Sequence, residues 1–245
     1  MKANVIVFEV ATFILFIAMY IGSSRALGRV RNRDFLFGSA AFALVIYSVA
    51  VAGGMMNFFW YSTNAYYKHY VLGGYIIWLG VVPLAVLLLF YMVSMASYLV
   101  ASAFTSNVWK RSAIAGGIGA LFYLMIEPVA ITNHWWVWNA KTFYILDVPL
   151  FAWIGVFLAV FAFTACYQLT VIEKADPKWL KPVEDRVKSL LLKTKNPTIG
   201  LEHNKLAEVY AWRLFAALVA FGIVMTPVLI VLWVLANRGP IPGGW

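Results

Sequence analysis

Charged residues are scarce in this sequence, and their scarcity restricts its class. They account for 12% of the 245 residues, whereas 63% are apolar, and soluble domains carry about 25% charged residues. The composition therefore excludes an ordinary soluble domain. Several apolar runs exceed the length of about 18 residues that marks a membrane-spanning helix. We predict an all-α fold, a polytopic helical membrane bundle of about six to seven transmembrane helices that forms a single integral membrane domain over residues 1–245.

Cysteine and histidine are also rare. Cys166 is the one cysteine, which excludes an internal disulfide, and it lies in an apolar run. His69 and His134 are too isolated to indicate a metal site. The net charge of +9 comes from basic residues between apolar runs, a pattern typical of a protein that faces a membrane surface. We therefore expect the membrane as a partner, no metal and no nucleic acid.

Six apolar stretches have the length of a membrane span. The first is not a signal peptide, because its arginines follow the apolar run instead of preceding it. The third contains Pro83, and proline is favoured in a first helical turn, so we expect that helix to begin near Val82 after an aromatic lead-in. The six stretches cover residues 4–22, 35–60, 73–104, 112–132, 148–172 and 209–236.

The basic residues are distributed unequally between the two sides of the membrane. With six spans, 14 of the 19 lie on one side and four on the other, and Arg213, at the start of the sixth span, is left out of the count. The positive-inside rule then predicts a multi-pass protein of the cell membrane with both termini outside and the basic loop 173–208 in the cytoplasm. Within that loop, residues 182–195 have the spacing of an amphipathic helix that lies on the membrane surface. The open alternative is that the loop binds a membrane-protein partner.

A short internal repeat begins two of the spans. Val81–Met92 and Asp147–Leu158 share a Val-Pro-Leu sequence after an aromatic, polar segment. Both spans enter the membrane from the same face. The sequence therefore predicts a parallel repeat and not an inverted one.

Glu127 is the strongest candidate for chemistry. It lies in an apolar run directly before Pro128, and an acid at the centre of a membrane helix costs of order 3 kcal/mol on insertion scales. The functional hypothesis is a carboxyl group kept protonated by desolvation, which serves as a general acid. The structural alternative is a carboxyl that is hydrogen-bonded across the bundle, and the residues alone leave both open.

Two other acids are less specific. Asp147 precedes Pro149, and we expect it either to cap the fifth span or to take part in catalysis. Glu9 either extends to the outer surface or serves the site. Counted along the spans, these acids and Glu127 lie toward the outer side, so we predict that a polar site exists only in the outer half of the bundle.

Aromatic residues surround the candidate acid. The tryptophans that follow Glu127 are either interfacial belt residues or the lining of an apolar ligand site, where their faces steady a carbocation. Further polar residues could extend the rim of that site. The predicted substrate-binding set is Trp135, Trp136, Trp138, His134, Asn57, Tyr61 and Tyr144.

These residues carry a resemblance to a known family. The blocks IEPVA, HWWVW and VPLFAWIG, with a tyrosine between the last two, and the block VVPLAVLLLFYMVSMASYLVA resemble the bacterial and archaeal carotenoid biosynthesis membrane proteins. That family includes the hydratase that acts on bisanhydrobacterioruberin. The sequence departs from it at Asn57, Asp147 and Ala152, where the family usually has glutamate, glycine and asparagine.

The resemblance implies a carotenoid hydratase of the lyase class. Such an enzyme adds water to a terminal isoprenoid double bond of an acyclic carotenoid. Glu127 would donate the proton, the tryptophans would line the cationic end, Asp147 would orient the water, and no cofactor is needed. The alternatives are a non-catalytic protein that binds a carotenoid or other isoprenoid lipid, and an accessory subunit of a membrane complex.

Overall fold

The computed structural model describes residues 3–53, 59–61, 75–80, 82–133, 135–138, 144–145 and 148–172. Within these ranges most of the chain is helical, in agreement with the predicted class. The helices are α1 (Ala3–Leu27), α2 (Arg29–Gly53), α3 (Leu84–Phe104), α4 (Val108–Thr132) and α5 (Leu150–Tyr167), which continues as a π-helical turn, Gln168–Ile172.

Four of the described helices are long and apolar enough to cross a membrane. Their spans are Val5–Leu27, Leu84–Phe104, Val108–Thr132 and Ala152–Ile172. The sixth predicted span, residues 209–236, and the amphipathic helix predicted over residues 182–195 lie outside the described residues.

Within the described part of the chain, six short strands, which the sequence did not predict, form three antiparallel pairs. β1 pairs with β4, β2 with β3, and β5 with β6. The strands are β1 (Phe59–Tyr61), β2 (Trp78–Leu79), β3 (Val82–Pro83), β4 (Trp136–Trp138), β5 (Tyr144–Ile145) and β6 (Val148–Pro149).

The helices run alternately in opposite directions, so the bundle has two different ends. One end holds the strands, and we call it the strand end. α1, α3 and α5 start there, and α2 and α4 end there. The opposite end, where α1 turns into α2 and α3 turns into α4, is the hairpin end. Those predicted site residues that the structure describes belong to the strand end.

α3 is the central helix of the described bundle. Buried residues make up 72% of its span but only 22% of the span in α1. It packs against α1, α2, α4 and α5, and its sequence contains no charged residue. An apolar helix without a polar face is expected in such a position, because it has neighbours on all sides. α3 begins at Leu84 after an extended segment, which confirms the predicted lead-in.

The turn between α1 and α2 is shorter than predicted. We expected the arginines of residues 25–33 in a loop, but only Gly28 interrupts the two helices. Its φ of 86° lies in the left-handed region, which glycine adopts without a steric penalty. The Gly28 amide donates to the Ser24 carbonyl, and the Gly28 carbonyl accepts from the Asn32 amide. One glycine therefore ends α1 and starts α2, and the arginines lie on helices.

A buried hydrogen-bond network fixes the hairpin end. The Tyr91 hydroxyl of α3 donates to Asn32 Oδ1 of α2 at 2.7 Å, and Ser23 Oγ of α1 lies 3.0 Å from the same oxygen. The Asn32 amide donates to the Tyr20 carbonyl at 3.0 Å and to Ser24 Oγ at 2.7 Å. The sequence predicted a polar site only in the outer half of the bundle. Here, at the hairpin end, short polar side chains are also buried, and they satisfy one another without any acid.

The repeat predicted from the two Val-Pro-Leu sequences is confirmed in its geometry. In β2–β3, Trp78 pairs with Pro83 and Leu79 with Val82. In β5–β6, Tyr144 pairs with Pro149 and Ile145 with Val148. In both hairpins an aromatic residue is opposite proline, an aliphatic residue is opposite valine, and a helix begins at the following leucine.

Close packing of α4 on α5 depends on two glycines. A Cβ atom added to Gly116 would lie 2.8 Å from the Phe157 carbonyl oxygen, and one added to Gly119 would lie 2.8 Å from Val160 Cγ2. Small residues at such positions let membrane helices approach closely. Gly117, which lies between them in sequence, has no neighbour within 4 Å of an added Cβ.

Gly119→Ala is therefore expected to destabilise the protein by about 1–3 kcal/mol, because the added methyl group overlaps Val160. Gly117→Ala is the matched control and should leave stability unchanged or slightly raise it, since alanine favours helix formation. Thermal unfolding of the two variants in the same detergent measures the difference. Equal melting temperatures would contradict the close packing of α4 on α5.

Candidate functional site

Glu127 lies in the last part of α4 and is fully buried, with 0% of its side chain exposed. Its neighbours in sequence mark the outer face of the helix, because Met125 is 71% exposed and Val129 is also exposed. The carboxyl group therefore faces the interior of the bundle and not the lipid.

The end of α4 is irregular because of Pro128. Proline has no amide hydrogen and cannot donate to the carbonyl four residues earlier, which weakens the helix beside Glu127. Side chains stabilise the turn that follows. Thr132 Oγ1 donates to the Pro128 carbonyl at 2.8 Å, and Asn133 Nδ2 donates to the Val129 carbonyl at 2.8 Å.

Two tyrosine hydroxyls connect α4 to α2 near the acid. Tyr123 is four residues before Glu127, so the two side chains lie on one helix face. The Tyr123 and Tyr47 hydroxyl oxygens are 3.0 Å apart. Glu127 is close enough to interact electrostatically with both Tyr47 and Tyr75. The acid is therefore surrounded by hydroxyl groups from three separate parts of the chain.

Tyr75 links the acid to the aromatic residues of the strand end. It is buried, and its hydroxyl donates to the Trp135 carbonyl at 3.2 Å. Burial raises the pKa of Tyr75 well above its usual value. Tyr75 therefore remains a neutral hydrogen-bond donor across the physiological pH range.

Glu9 anchors an extended backbone segment, a role that the sequence did not predict. Its carboxylate accepts hydrogen bonds from the backbone amides of Ile76 at 2.9 Å and Ile77 at 3.3 Å. The side chain is buried, so the prediction that it could extend to the outer surface was wrong. Its physical role is to supply acceptors to an extended segment whose amides lack helical partners.

Trp135 forms an aromatic wall beside these groups. Its ring stacks on Phe8 with centroids 4.1 Å apart and an interplanar angle of 26°. Phe8 in turn meets the Tyr75 ring edge-on at 6.1 Å. The Trp135 amide donates to the Ala130 carbonyl at 2.8 Å. Trp135 is thus fixed between α1 and the end of α4, close to the carboxyl group.

The β1–β4 pair unites other predicted residues. Tyr61 is opposite Trp136 in the register, and Phe59 is opposite Trp138. The backbone thereby joins the ends of α2 and α4 above the acid. Tyr144 lies opposite Pro149 in a separate hairpin. His134, Asn57 and Asp147 lie outside the described residues.

The cap predicted for Asp147 stays a prediction, because Asp147 lies outside the described residues. α5 begins at Leu150, so Pro149 occupies the position directly before it. The corresponding residue of α3 is Pro83, which is the N-cap and has extended dihedral angles. Proline can take this place because the first amides of a helix have no partner within it.

Three tyrosines of the site were not predicted. Tyr123 could have been identified from its spacing of four residues before Glu127. Tyr47 and Tyr75 carry no such signal, because only the tertiary fold brings α2 and the extended segment to α4. Among the residues that the structure describes, no cluster of three or more histidine, cysteine or acidic side chains could hold a metal ion.

Comparison of the chain with protein-family models, with curated proteins and with solved structures finds no match. The chemistry of the site therefore follows from its residues. A buried carboxyl beside hydroxyl groups and aromatic rings can exchange a proton with an apolar ligand.

Glu9→Ala is expected to loosen the extended segment at residues 75–80, because two backbone amides lose their acceptor. Each such loss costs about 1–3 kcal/mol. Hydrogen-exchange mass spectrometry should show faster exchange in this segment but unchanged exchange in the centre of α3. Glu9→Gln, which keeps one acceptor oxygen, should have an intermediate effect. Protection equal to that of the parent protein in Glu9→Ala would contradict the anchoring role.

Proposed function

We propose that this chain is a carotenoid-modifying membrane protein of the family that its sequence resembles. Its reaction would be the addition of water to a terminal isoprenoid double bond of an acyclic carotenoid. The observation that carries the proposal is the complete burial of Glu127 within an apolar helix. An ionisable group in that environment is a functional-site hypothesis by default, because its burial is costly.

The chemistry requires only groups that the chain supplies. Glu127 donates a proton to the alkene, the π bond breaks, and a tertiary carbocation forms next to the new C–H bond. Aromatic faces stabilise the positive charge, and Trp135, whose ring stacks on Phe8, is the described residue proposed for this role. Water then forms a C–O bond with the cation. The added water releases a proton to the Glu127 carboxylate, which restores the acid. Asp147 is the proposed group that orients the water.

The proposed topology is compatible with this chemistry. Six to seven spans, with both termini outside and residues 173–208 in the cytoplasm, would place the strand end at the outer side of the membrane. A linear, apolar substrate would then reach Glu127 from the lipid. The wider predicted binding set, which includes His134, Asn57 and Tyr144, would contact the same end of the substrate.

Glu127→Gln in a carotenoid-producing host tests the proposal. The amide preserves the size of the side chain but cannot donate the proton, so hydroxylated product should fall by at least about 100-fold, the usual contribution of general acid catalysis. Pigment extraction and chromatography measure the product at matched protein levels. Asp34→Asn is the control, because it neutralises a carboxyl group at the hairpin end, outside the site, and should retain hydroxylation. Unchanged product in Glu127→Gln would remove this residue from the mechanism.

The second candidate is a non-catalytic relative that binds a carotenoid or isoprenoid lipid, alone or as an accessory subunit of a membrane complex. One observation favours it. Ala152 is buried in the first turn of α5, with 6% exposure, and the family usually has asparagine there. This chain therefore offers no polar side chain at that position. The second candidate predicts that the purified protein retains pigment without turnover, or copurifies with a stoichiometric partner through residues 173–208.

A further inference from the structure

A cavity of about 340 Å³ lies at the hairpin end, away from Glu127. It occupies the notch between the last turns of α1 and the first turn of α2. The lining residues are Tyr20, Ile21, Ser24, Arg25 and Arg29. Its volume is within the range of about 300–1,000 Å³ that is typical of small-molecule sites.

Two unneutralised guanidinium groups border this notch. Arg25 is in the last turn of α1 and Arg29 is the first residue of α2, and both are exposed. Within the described part of the chain, neither forms an ion pair. Asp34, the acidic residue of this region, pairs with Arg33 at 3.2 Å. It does not neutralise Arg25 or Arg29. The notch therefore has a net positive charge.

Neutral donors add to this charge. Ser24 Oγ accepts a hydrogen bond from the Asn32 amide at 2.7 Å, which leaves its hydroxyl hydrogen for a different acceptor. Arg29 is also the first residue of α2, where helical amides have no partner within the helix. The notch thus combines charged and neutral donors, which is the combination that a phosphate group requires.

The position of the notch agrees with such a ligand. α1 has 25 residues and is therefore about 37 Å long, whereas the hydrocarbon core of a bilayer is about 30 Å thick. Its last turn consequently lies at the level of the lipid headgroups. Ile21, which is 51% exposed, lies one turn closer to the hydrocarbon core. We infer that this notch binds the phosphate group of an anionic phospholipid, and that Arg25 and Arg29 are its principal ligands.

Lipid binding by the full-length protein in detergent tests the inference. Phosphatidylglycerol is added, and the bound lipid is counted by native mass spectrometry. The double variant R25Q/R29Q should bind it at least about tenfold more weakly, because each basic residue near an anionic surface contributes about 1 kcal/mol. The matched control is R33Q/K110Q, which removes the same charge from the same end of the bundle outside the notch. It should bind as the parent protein does.

Ile21→Trp provides a second test that does not alter charge. The larger side chain fills the notch while both arginines remain, so binding of phosphatidylglycerol should fall. Unchanged binding in this variant, or equal losses in R25Q/R29Q and R33Q/K110Q, would overturn the proposal, because attraction would then be a general effect of charge.

Inorganic phosphate is the competing probe. Displacement of the lipid by phosphate, with the same dependence on both arginines, would support the phosphate site and assign it to the free anion.

Discussion

This structure depends on one constraint, which is that lipid offers no hydrogen-bond partners to the protein backbone. In hydrocarbon, each amide and carbonyl group must be satisfied inside the protein. The helices meet this condition alone, but the strand end contains extended chain. There, three short strand pairs and the carboxylate of Glu9 supply the missing partners. These bonds allow Tyr75 and Trp135 to lie beside Glu127, where a continuous helix could not place them.

The two ends of the bundle use polar groups differently. At the hairpin end, Ser23, Asn32 and Tyr91 satisfy one another, and the result is a fixed crossing of α1, α2 and α3. At the strand end, carboxyl groups are buried among hydroxyl groups and aromatic rings. A neutral network stabilises helix packing at low electrostatic cost, whereas a buried acid is costly and is retained for chemistry or anchoring.

The sequence was sufficient for features that depend on local pattern. Apolar length predicted the helices, the proline rule predicted the late start of α3, and Val-Pro-Leu predicted the repeat. Glu127 was identified because an acid in an apolar run is conspicuous. The partners of Glu9 could not be predicted, since backbone amides carry no signature in a sequence. The start of α2 was not predicted correctly. The charged residues had indicated a loop, but Gly28 alone forms the turn.

The matching hairpins have an evolutionary consequence. The segments α2–β1–β2–β3–α3 and α4–β4–β5–β6–α5 have the same order of elements, and the antiparallel register of β1 with β4 is symmetric about the pair Trp60–Val137. Two copies of one unit related by a two-fold axis would have this arrangement. Fusion of two copies of one ancestral unit into a single chain would produce such an arrangement.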